Sequence, residues 1–532
     1  MGHFLQKHWY YLFFAVIALG VHQTFFHGGY FGFDELTYSA LADDLFKGDL
    51  DKSLNLFAHR YSILIPLALS YTLFGVNDFA NMIPSFLSII VILAISLYFL
   101  REFPVAIKWI CTVYIICFPM HLMYLSKPMP DLIVELGFLL CFLALYHTRF
   151  SSGQKNYPLW TLFIIGGLMI FFAKETFLII YPFFIFYFFK DLHKGKFKSF
   201  WIKSSGTLIL LALGYFAFSY LYFGSPFIRV EAIFHERFIS ECSYEFQPLD
   251  VLIKRISYEL WLDFIKSGVL IPLGFLVLLR KKHQLASSQN FILRSFLFLL
   301  LLSNFMTISY TAYVPLCNDV RHFLFVFPLG VFTLGIGLLH LKKLNWTEVI
   351  LVSLSIFIQG LIVEWWYPET YLVIYSLIAF GVILFKLEKL KILAIIAITL
   401  GLGFQYYYNA TYNLKTNHPA QKELLYFVLN KPGKKIVITD SANTRLGRMY
   451  AQYDTSMVEF VRYHEFEKSL DIENIPTYII LNGMTAWFSR VNWDLVPEKF
   501  KEDSDQLSLL MENEIGKVFL YVVGEFEVEI ED

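Results

Sequence analysis

Charged residues and cysteines are scarce in this chain of 532 residues. Only 16% of the residues are charged, and the formal net charge is −1, which argues against a nucleic-acid partner because such partners are bound by basic surfaces. The 5 cysteines exclude a disulfide-rich scaffold. No tight His or Cys spacing is present, so the sequence predicts no structural zinc.

Apolar residues are abundant instead. The chain is 57% hydrophobic and 19% aromatic, with a mean hydropathy of +0.55, which is far more apolar than a soluble protein. Runs able to cross a hydrocarbon layer of about 30 Å recur up to residue 408. They predict a polytopic α-helical membrane protein with about thirteen transmembrane helices. The expected spans are 9–26, 79–100, 104–120, 131–148, 158–173, 175–190, 201–223, 264–279, 291–310, 322–340, 346–364, 370–386 and 391–408.

Lys and Arg accumulate in every second connection between these spans, as in Arg280-Lys281-Lys282. Because basic loops stay in the cytoplasm, the N-terminus is expected inside. The short apolar segment from Tyr61 to Gly75 then fits only as a helix in the outer interface, which makes residues 27–78 the first outer loop. The triplet 18–20 resembles a signal-peptidase site, but cleavage would remove one tether of that loop, so the first span is expected to remain.

The composition becomes mixed and charged after residue 408. Residues 409–532 are expected to form a separate extracytoplasmic α/β domain. The pattern predicts a helix from His418 to Asn430 and strands at Lys435–Thr439 and 477–481. Outer-loop residues Cys242 and Cys317 form either a disulfide or two free thiols.

The predicted topology gathers most unusual ionisable residues on the outer face, where a charge at the membrane edge is costly and suggests a polar cavity. Simpler roles stay open: Asp34 as a helix N-cap, and the Lys side chains as residues that extend to the headgroups. The candidate catalytic residues are Asp34, Glu35 and Asp131, and the candidate substrate-binding residues are His59, Arg60, Lys127, Lys174, Arg237, Arg321 and His322.

This inventory suits glycosyl transfer from a lipid phosphate. A carboxylate takes the proton of an acceptor hydroxyl, and cations stabilise the departing phosphate. The segment Phe33-Asp34-Glu35-Leu36-Thr37-Tyr38 resembles the first outer loop of the dolichyl-phosphate-mannose protein mannosyltransferase-like family, which belongs to the GT-C glycosyltransferases and includes the bacterial aminoarabinose transferase. Further similar segments are 73–76 and 80–85 in the same loop region, 126–131 at the second acidic loop, Lys174-Glu175, and Arg321-His322 with Pro328.

The resemblance covers residues 1 to about 410 and implies an inverting transferase that uses a polyprenyl-phosphate sugar at the outer leaflet. It implies Asp34 as the base, Asp131 as an orienting acid, and Arg321 or Lys127 as a phosphate ligand. Where many relatives have His-Pro-Pro, this chain has His59 followed by Arg-Tyr-Ser, so it departs from the family pattern on the acceptor side of the first loop.

A polytopic transporter or lipid flippase is the alternative, and a scaffold of an envelope assembly is a third hypothesis. A carrier would place ionisable groups near span midpoints, whereas here they lie at span ends. Charge placement therefore favours the transferase, in the cell (inner) membrane, with a lipid, polysaccharide or protein acceptor. The sugar, the acceptor and the metal requirement stay open. No cofactor is expected with certainty, but the carboxylates of Asp34 and Asp131 would suit a divalent cation.

Overall fold

A computed structural model describes residues 2–49, 51, 53–150, 158–235, 247–266, 271–307, 313, 319–363, 368–414, 418–462, 475–482, 507–513 and 518–523. The structure is mainly helical up to residue 429 and contains a β-sheet after it. Arg237, Cys242 and Cys317 fall outside the described residues. The three described cysteines, Cys111, Cys117 and Cys141, are buried free thiols.

The α-helices are α1 (Gly2–Phe25), α2 (Asp34–Lys47), α3 (Tyr61–Phe74), α4 (Asp78–Phe99), α5 (Val105–Ile116), α6 (Pro119–Leu125), α7 (Asp131–Phe150), α8 (Leu159–Ala173), α9 (Phe177–His193), α10 (Lys198–Phe223), α11 (Ile228–His235), α12 (Leu249–Lys254), α13 (Leu260–Lys266), α14 (Ser287–Phe305), α15 (Phe327–His340), α16 (Trp346–Ile362), α17 (Pro368–Lys386), α18 (Lys391–Leu414), α19 (His418–Leu429) and α20 (Ser441–Tyr450). Short 3₁₀ segments lie at Leu56–His59, Ile271–Gln284, Val320–Val326, Leu341–Lys343 and Glu388–Leu390, and a π-helical turn lies at Arg255–Glu259.

Within the described residues, 6 helical segments are long and apolar enough to cross a membrane, or 7 if α5 and α6 form one span bent by 49°. The 6 segments are Asp78–Phe99, Asp131–Phe150, Lys198–Phe223, Val320–Lys343, Glu369–Lys386 and Glu388–Thr411. Several other expected spans are shorter helices, such as α8 and α16. The expected count of about thirteen is therefore not confirmed, whereas a polytopic helical architecture is present.

Helix α7 lies in the interior of the bundle. Gly137 of α7 faces Gly166 of α8 so closely that a Cβ on Gly166 would come within 2.4 Å of the carbonyl oxygen of Gly137. Small residues allow such close backbone packing between apolar helices. This packing places the first residue of α7, Asp131, near the end of α8 and the residues that follow it.

The C-terminal region contains a five-stranded sheet with the order β2-β1-β3-β5-β4. The strands are β1 (Lys435–Thr439), β2 (Val458–Arg462), β3 (Thr477–Asn482), β4 (Leu507–Asn513) and β5 (Val518–Val523). β1 pairs in parallel with β2 and β3, whereas β5 pairs antiparallel with β3 and β4. The predicted helix at 418 and both predicted strands are confirmed, and the position of this region outside the membrane stays a prediction.

The C-terminal region packs against the loop between α1 and α2. Gly32 has φ +89°, and a Cβ there would lie 2.2 Å from the Cβ of Ala442, so a glycine is needed for both conformation and space. Arg445 donates a hydrogen bond to the carbonyl oxygen of Gly32 at 3.4 Å, and the hydroxyl of Tyr453 bonds Ser39 of α2 at 2.7 Å. The sheet region thus supports the start of α2.

Candidate active site

The start of α2 gives its two carboxylates different environments. Phe33 occupies the N-cap position without a side-chain cap, and the helix begins at Asp34, so the capping role considered for Asp34 is not observed. Glu35 is 1% exposed, and its Oε1 accepts a hydrogen bond from the backbone N–H of Gly32 at 2.7 Å. Burial raises the pKa of Glu35. Glu35 therefore stabilises the loop between α1 and α2 through Gly32, whereas the carboxylate of Asp34 is partly solvent-exposed.

Exposure separates Asp34 from the other acids of the site. The side chain of Asp34 is 38% exposed, whereas that of Asp131 is 2% exposed. A general base must approach the hydroxyl that it deprotonates. Of the three acids predicted from the sequence, Asp34 alone combines a charged neighbour with access to an incoming molecule.

Arg321 is the charged neighbour of Asp34. Its Nη1 lies 3.8 Å from Oδ2 of Asp34, and its Nε lies 2.8 Å from Oδ2 of Asp319. Asp319 also accepts a hydrogen bond from the backbone N–H of Arg321 at the start of a 3₁₀ turn. The guanidinium is thereby oriented on one edge and remains partly exposed, at 23%. Such a group can bind phosphate oxygens beside Asp34.

A second cluster joins Asp131, Lys174 and His322. The Nζ of Lys174 lies 2.9 Å from Oδ1 of Asp131 and 2.5 Å from Nδ1 of His322. His322 Nδ1 is also 3.6 Å from the same carboxylate oxygen. Burial lowers the pKa of Lys174, and the charge of Asp131 opposes this shift. Since His322 follows Arg321 in the chain, this cluster adjoins the Asp34–Arg321 pair.

Arg60 and Glu175 form a third, fully buried pair. Arg60 Nη2 lies 2.8 Å from Oε2 of Glu175, and Arg60 also hydrogen-bonds the hydroxyl of Tyr38 in α2. Arg229, which the sequence prediction missed, is 2% exposed and interacts electrostatically with Glu175. Its Nε and Nη2 have no hydrogen-bond partner among the described residues. Its only sequence signal was an arginine among apolar residues just after the expected seventh span.

Lys127 and His59 occupy more enclosed positions. Lys127 is buried, donates to the carbonyl oxygen of Met123 at 2.9 Å, and lies 4.5 Å from the centre of the Phe31 ring. Burial lowers the pKa of Lys127 to about 8. The buried ring of His59 packs against Phe223, and its backbone carbonyl accepts a hydrogen bond from Arg229. His59 therefore contacts Arg229 through its backbone carbonyl oxygen.

Neither acid considered for a divalent cation is free of basic neighbours. Asp34 faces Arg321, and Asp131 faces Lys174 and His322. A cation at either carboxylate would have to displace a positively charged partner. The site instead contains one accessible carboxylate, that of Asp34, beside the cationic Arg321. Such a cation can stabilise an anionic leaving group.

Two solved structures share the fold of this chain over nearly its whole length. The crystal structure of ArnT from Cupriavidus metallidurans bound to undecaprenyl phosphate is similar with a TM-score of 0.56 and 11% identity, over 97% of this chain and 98% of that chain. The apo structure of the same protein gives a TM-score of 0.55 and 11% identity, over 96% and 97%. No family model and no curated protein sequence matches. The resemblance stated from the sequence is thus confirmed at the level of the fold.

Proposed function

We propose that the chain is an inverting glycosyltransferase that moves a sugar from a polyprenyl-phosphate carrier to an acceptor hydroxyl at the outer face of the cell (inner) membrane. The observation that carries this proposal is the accessible Asp34 carboxylate with the Arg321 guanidinium 3.8 Å away. The whole-chain similarity to ArnT, whose crystal structure contains undecaprenyl phosphate, supports the same class of donor.

Asp34 acts as the general base in this mechanism. Its carboxylate accepts the proton of the acceptor hydroxyl while the hydroxyl oxygen attacks the anomeric carbon from the face opposite the phosphate. The bond between the anomeric carbon and the phosphate oxygen breaks, and its electron pair leaves with the polyprenyl phosphate. One displacement inverts the anomeric configuration. The products are the glycosylated acceptor, the carrier phosphate and a protonated Asp34.

Arg321 stabilises the leaving phosphate. Its planar guanidinium can donate two parallel hydrogen bonds to phosphate oxygens, and Asp319 holds its Nε edge. Lys174 adds a second positive charge behind it, fixed by Asp131. The two basic groups thus stabilise the negative charge that develops on the phosphate as the glycosidic bond breaks.

A transporter or flippase would need ionisable groups along a path through the membrane. The described ion pairs of Asp34, Asp131 and Glu175 instead lie at or just before the starts of α2, α7 and α9. Product analysis separates the two functions. A transferase converts the polyprenyl-phosphate sugar to free polyprenyl phosphate, whereas a carrier leaves the glycosidic bond intact.

Carrier binding gives a test that needs no knowledge of the sugar or the acceptor. Purified protein is titrated with undecaprenyl phosphate and followed by native mass spectrometry. Arg321→Ala should weaken binding by at least about tenfold, since a charge-assisted phosphate contact is worth roughly 1.5–3 kcal/mol. Arg101→Ala, which removes the same charge from a loop expected on the opposite face, should bind as the wild type does. Equal binding by both variants would remove Arg321 from the site.

A double variant distinguishes a phosphate ligand from a structural ion pair. If Arg321 serves only to neutralise Asp319, replacing both with Ala leaves no unpaired charge and should restore transfer. If Arg321 binds phosphate, the double variant should stay inactive. We expect no restoration, and recovery of transfer would contradict the assigned role.

A further inference from the structure

Three potential metal ligands meet where the C-terminal region packs on the membrane part. His27 follows α1, Asp78 is the first residue of α4, and His418 is the first residue of α19. One ligand atom from each residue lies within 4.8 Å of the others. The two imidazole rings are stacked, with centroids 4.9 Å apart and planes inclined by 20°. None of the three residues belongs to the candidate active site.

Each of the two histidines has one ring nitrogen without a hydrogen-bond partner among the described residues. His418 is 5% exposed, and its Nδ1 has no hydrogen-bond partner in the described part of the chain. The same is true of the solvent-inaccessible Nε2 of His27. An unsatisfied buried polar atom costs about 1–3 kcal/mol.

We propose that His27, Asp78 and His418 bind a zinc ion that fastens the C-terminal region to the first outer loop. Two imidazoles and one carboxylate form a common zinc ligand set, and water would complete the tetrahedron. Zinc–nitrogen distances of about 2.0–2.1 Å require ligand atoms roughly 3.3 Å apart. The ligand atoms, which now lie within 4.8 Å of one another, must therefore approach one another by up to about 1.5 Å.

Two contacts must change when zinc binds. Lys422 now places Nζ 2.7 Å from Oδ2 of Asp78. Its side chain is 41% exposed, so it can turn into water when the ion replaces its charge. The backbone N–H of Gly29 donates to Nδ1 of His27 at 2.9 Å, which places the ring proton on Nε2. Ligation through Nε2 moves that proton to Nδ1 and opens the Gly29 contact.

The proposed site lies beside the loop that carries Asp34. Gly29 has φ +66°, and a Cβ there would lie 2.4 Å from the Cβ of His418, so the loop and α19 are in close contact. Tyr450 of α20 also hydrogen-bonds Asp78 at 3.1 Å. A zinc ion would therefore connect the chain on either side of α2 to the region that supports its first turn.

Metal content and affinity test the proposal directly. The full-length protein, without a polyhistidine tag, is stripped with EDTA, incubated with zinc chloride and analysed by elemental mass spectrometry. The wild type should retain about one zinc per chain, and His27→Gln and His418→Gln should each bind at least about tenfold more weakly. His193→Gln, a change at the end of α9, is the matched control and should retain zinc. Full retention in the His27 and His418 variants would overturn the proposal.

A variant that is expected to bind zinc more tightly controls for variants that lose zinc only because they misfold. Lys422→Met removes the cation that competes for Asp78, so it should tighten zinc binding by about tenfold, the effect of a second-shell partner. Cobalt at the same position should give the visible absorption of a tetrahedral site in the wild type and in Lys422→Met. If neither protein binds zinc saturably, the three residues are only a structural contact and the proposal is wrong.

Discussion

The buried Arg60–Glu175 pair makes a quantitative prediction about stability. Their side chains are 5% and 8% exposed and meet at 2.8 Å. Coulomb attraction at this distance is about 6 kcal/mol for an effective dielectric constant near 20, but each ion loses several kcal/mol of hydration on burial. The intact pair therefore adds little net stability, whereas loss of one partner leaves an uncompensated buried charge and costs about 3–5 kcal/mol.

Arg229 makes the two single replacements unequal. It also faces Glu175 and is repelled by Arg60, so Glu175→Gln leaves two buried guanidinium groups without a carboxylate. We expect a cost of about 5 kcal/mol for that change and about 3 kcal/mol for Arg60→Met, which leaves Glu175 paired with Arg229. The double variant should be no less stable than Glu175→Gln alone. The coupling energy is then about 3 kcal/mol.

Equilibrium unfolding in mixed micelles measures this cycle. The cycle is measured at about pH 7, where free carboxylates are ionised. A coupling below about 0.5 kcal/mol would refute the buried pair.

Three further predictions concern the outer face. Burial lowers the pKa of Lys127 from 10.5 to about 8, so the unfolded state binds this proton more tightly than the folded state does. Stability should therefore rise with pH between these two values. Lys127→Met should abolish that rise in unfolding curves measured as a function of pH. Arg321→Lys keeps the charge but loses the bidentate geometry, so donor use should fall in transfer assays, and wild-type rates would contradict this. Gly32→Ala should reduce transfer by displacing α2. Gly224→Ala, at a similar positive φ but with no atom of the described residues within 4 Å of the added Cβ, should not.

Much of the site follows from charge and apolar patterning. Lys174, Arg321 and Asp131 stand at the ends of expected spans, and the alternation of basic loops places all three on one face. The structure brings them together within two adjoining clusters. The charge pattern does not specify partners. The resemblance implied Asp34 as the base, and the structure adds that Glu35 is buried whereas Asp34 is partly exposed.

Features that depend on helix packing were not predictable. A hydropathy pattern does not show that α5 and α6 bend by 49° at 117–118, nor that the expected span at 264–279 overlaps a 3₁₀ segment with a kink at Lys281. The tertiary contact among His27, Asp78 and His418 is equally invisible, since their positions are far apart in sequence. The absence of short His or Cys spacing therefore says little about a site assembled from distant segments.

The most direct test of the proposed mechanism is carrier turnover by Asp34→Asn. Polyprenyl-phosphate sugars and acceptor membranes are incubated with the purified protein, and free polyprenyl phosphate is measured by mass spectrometry. Asn keeps the volume of Asp34 but cannot accept the proton, so turnover should fall by about 10²-fold or more while binding of undecaprenyl phosphate is retained. Glu35→Gln, which keeps an acceptor for the Gly32 N–H, should lose less. Wild-type turnover by Asp34→Asn would contradict the proposed base.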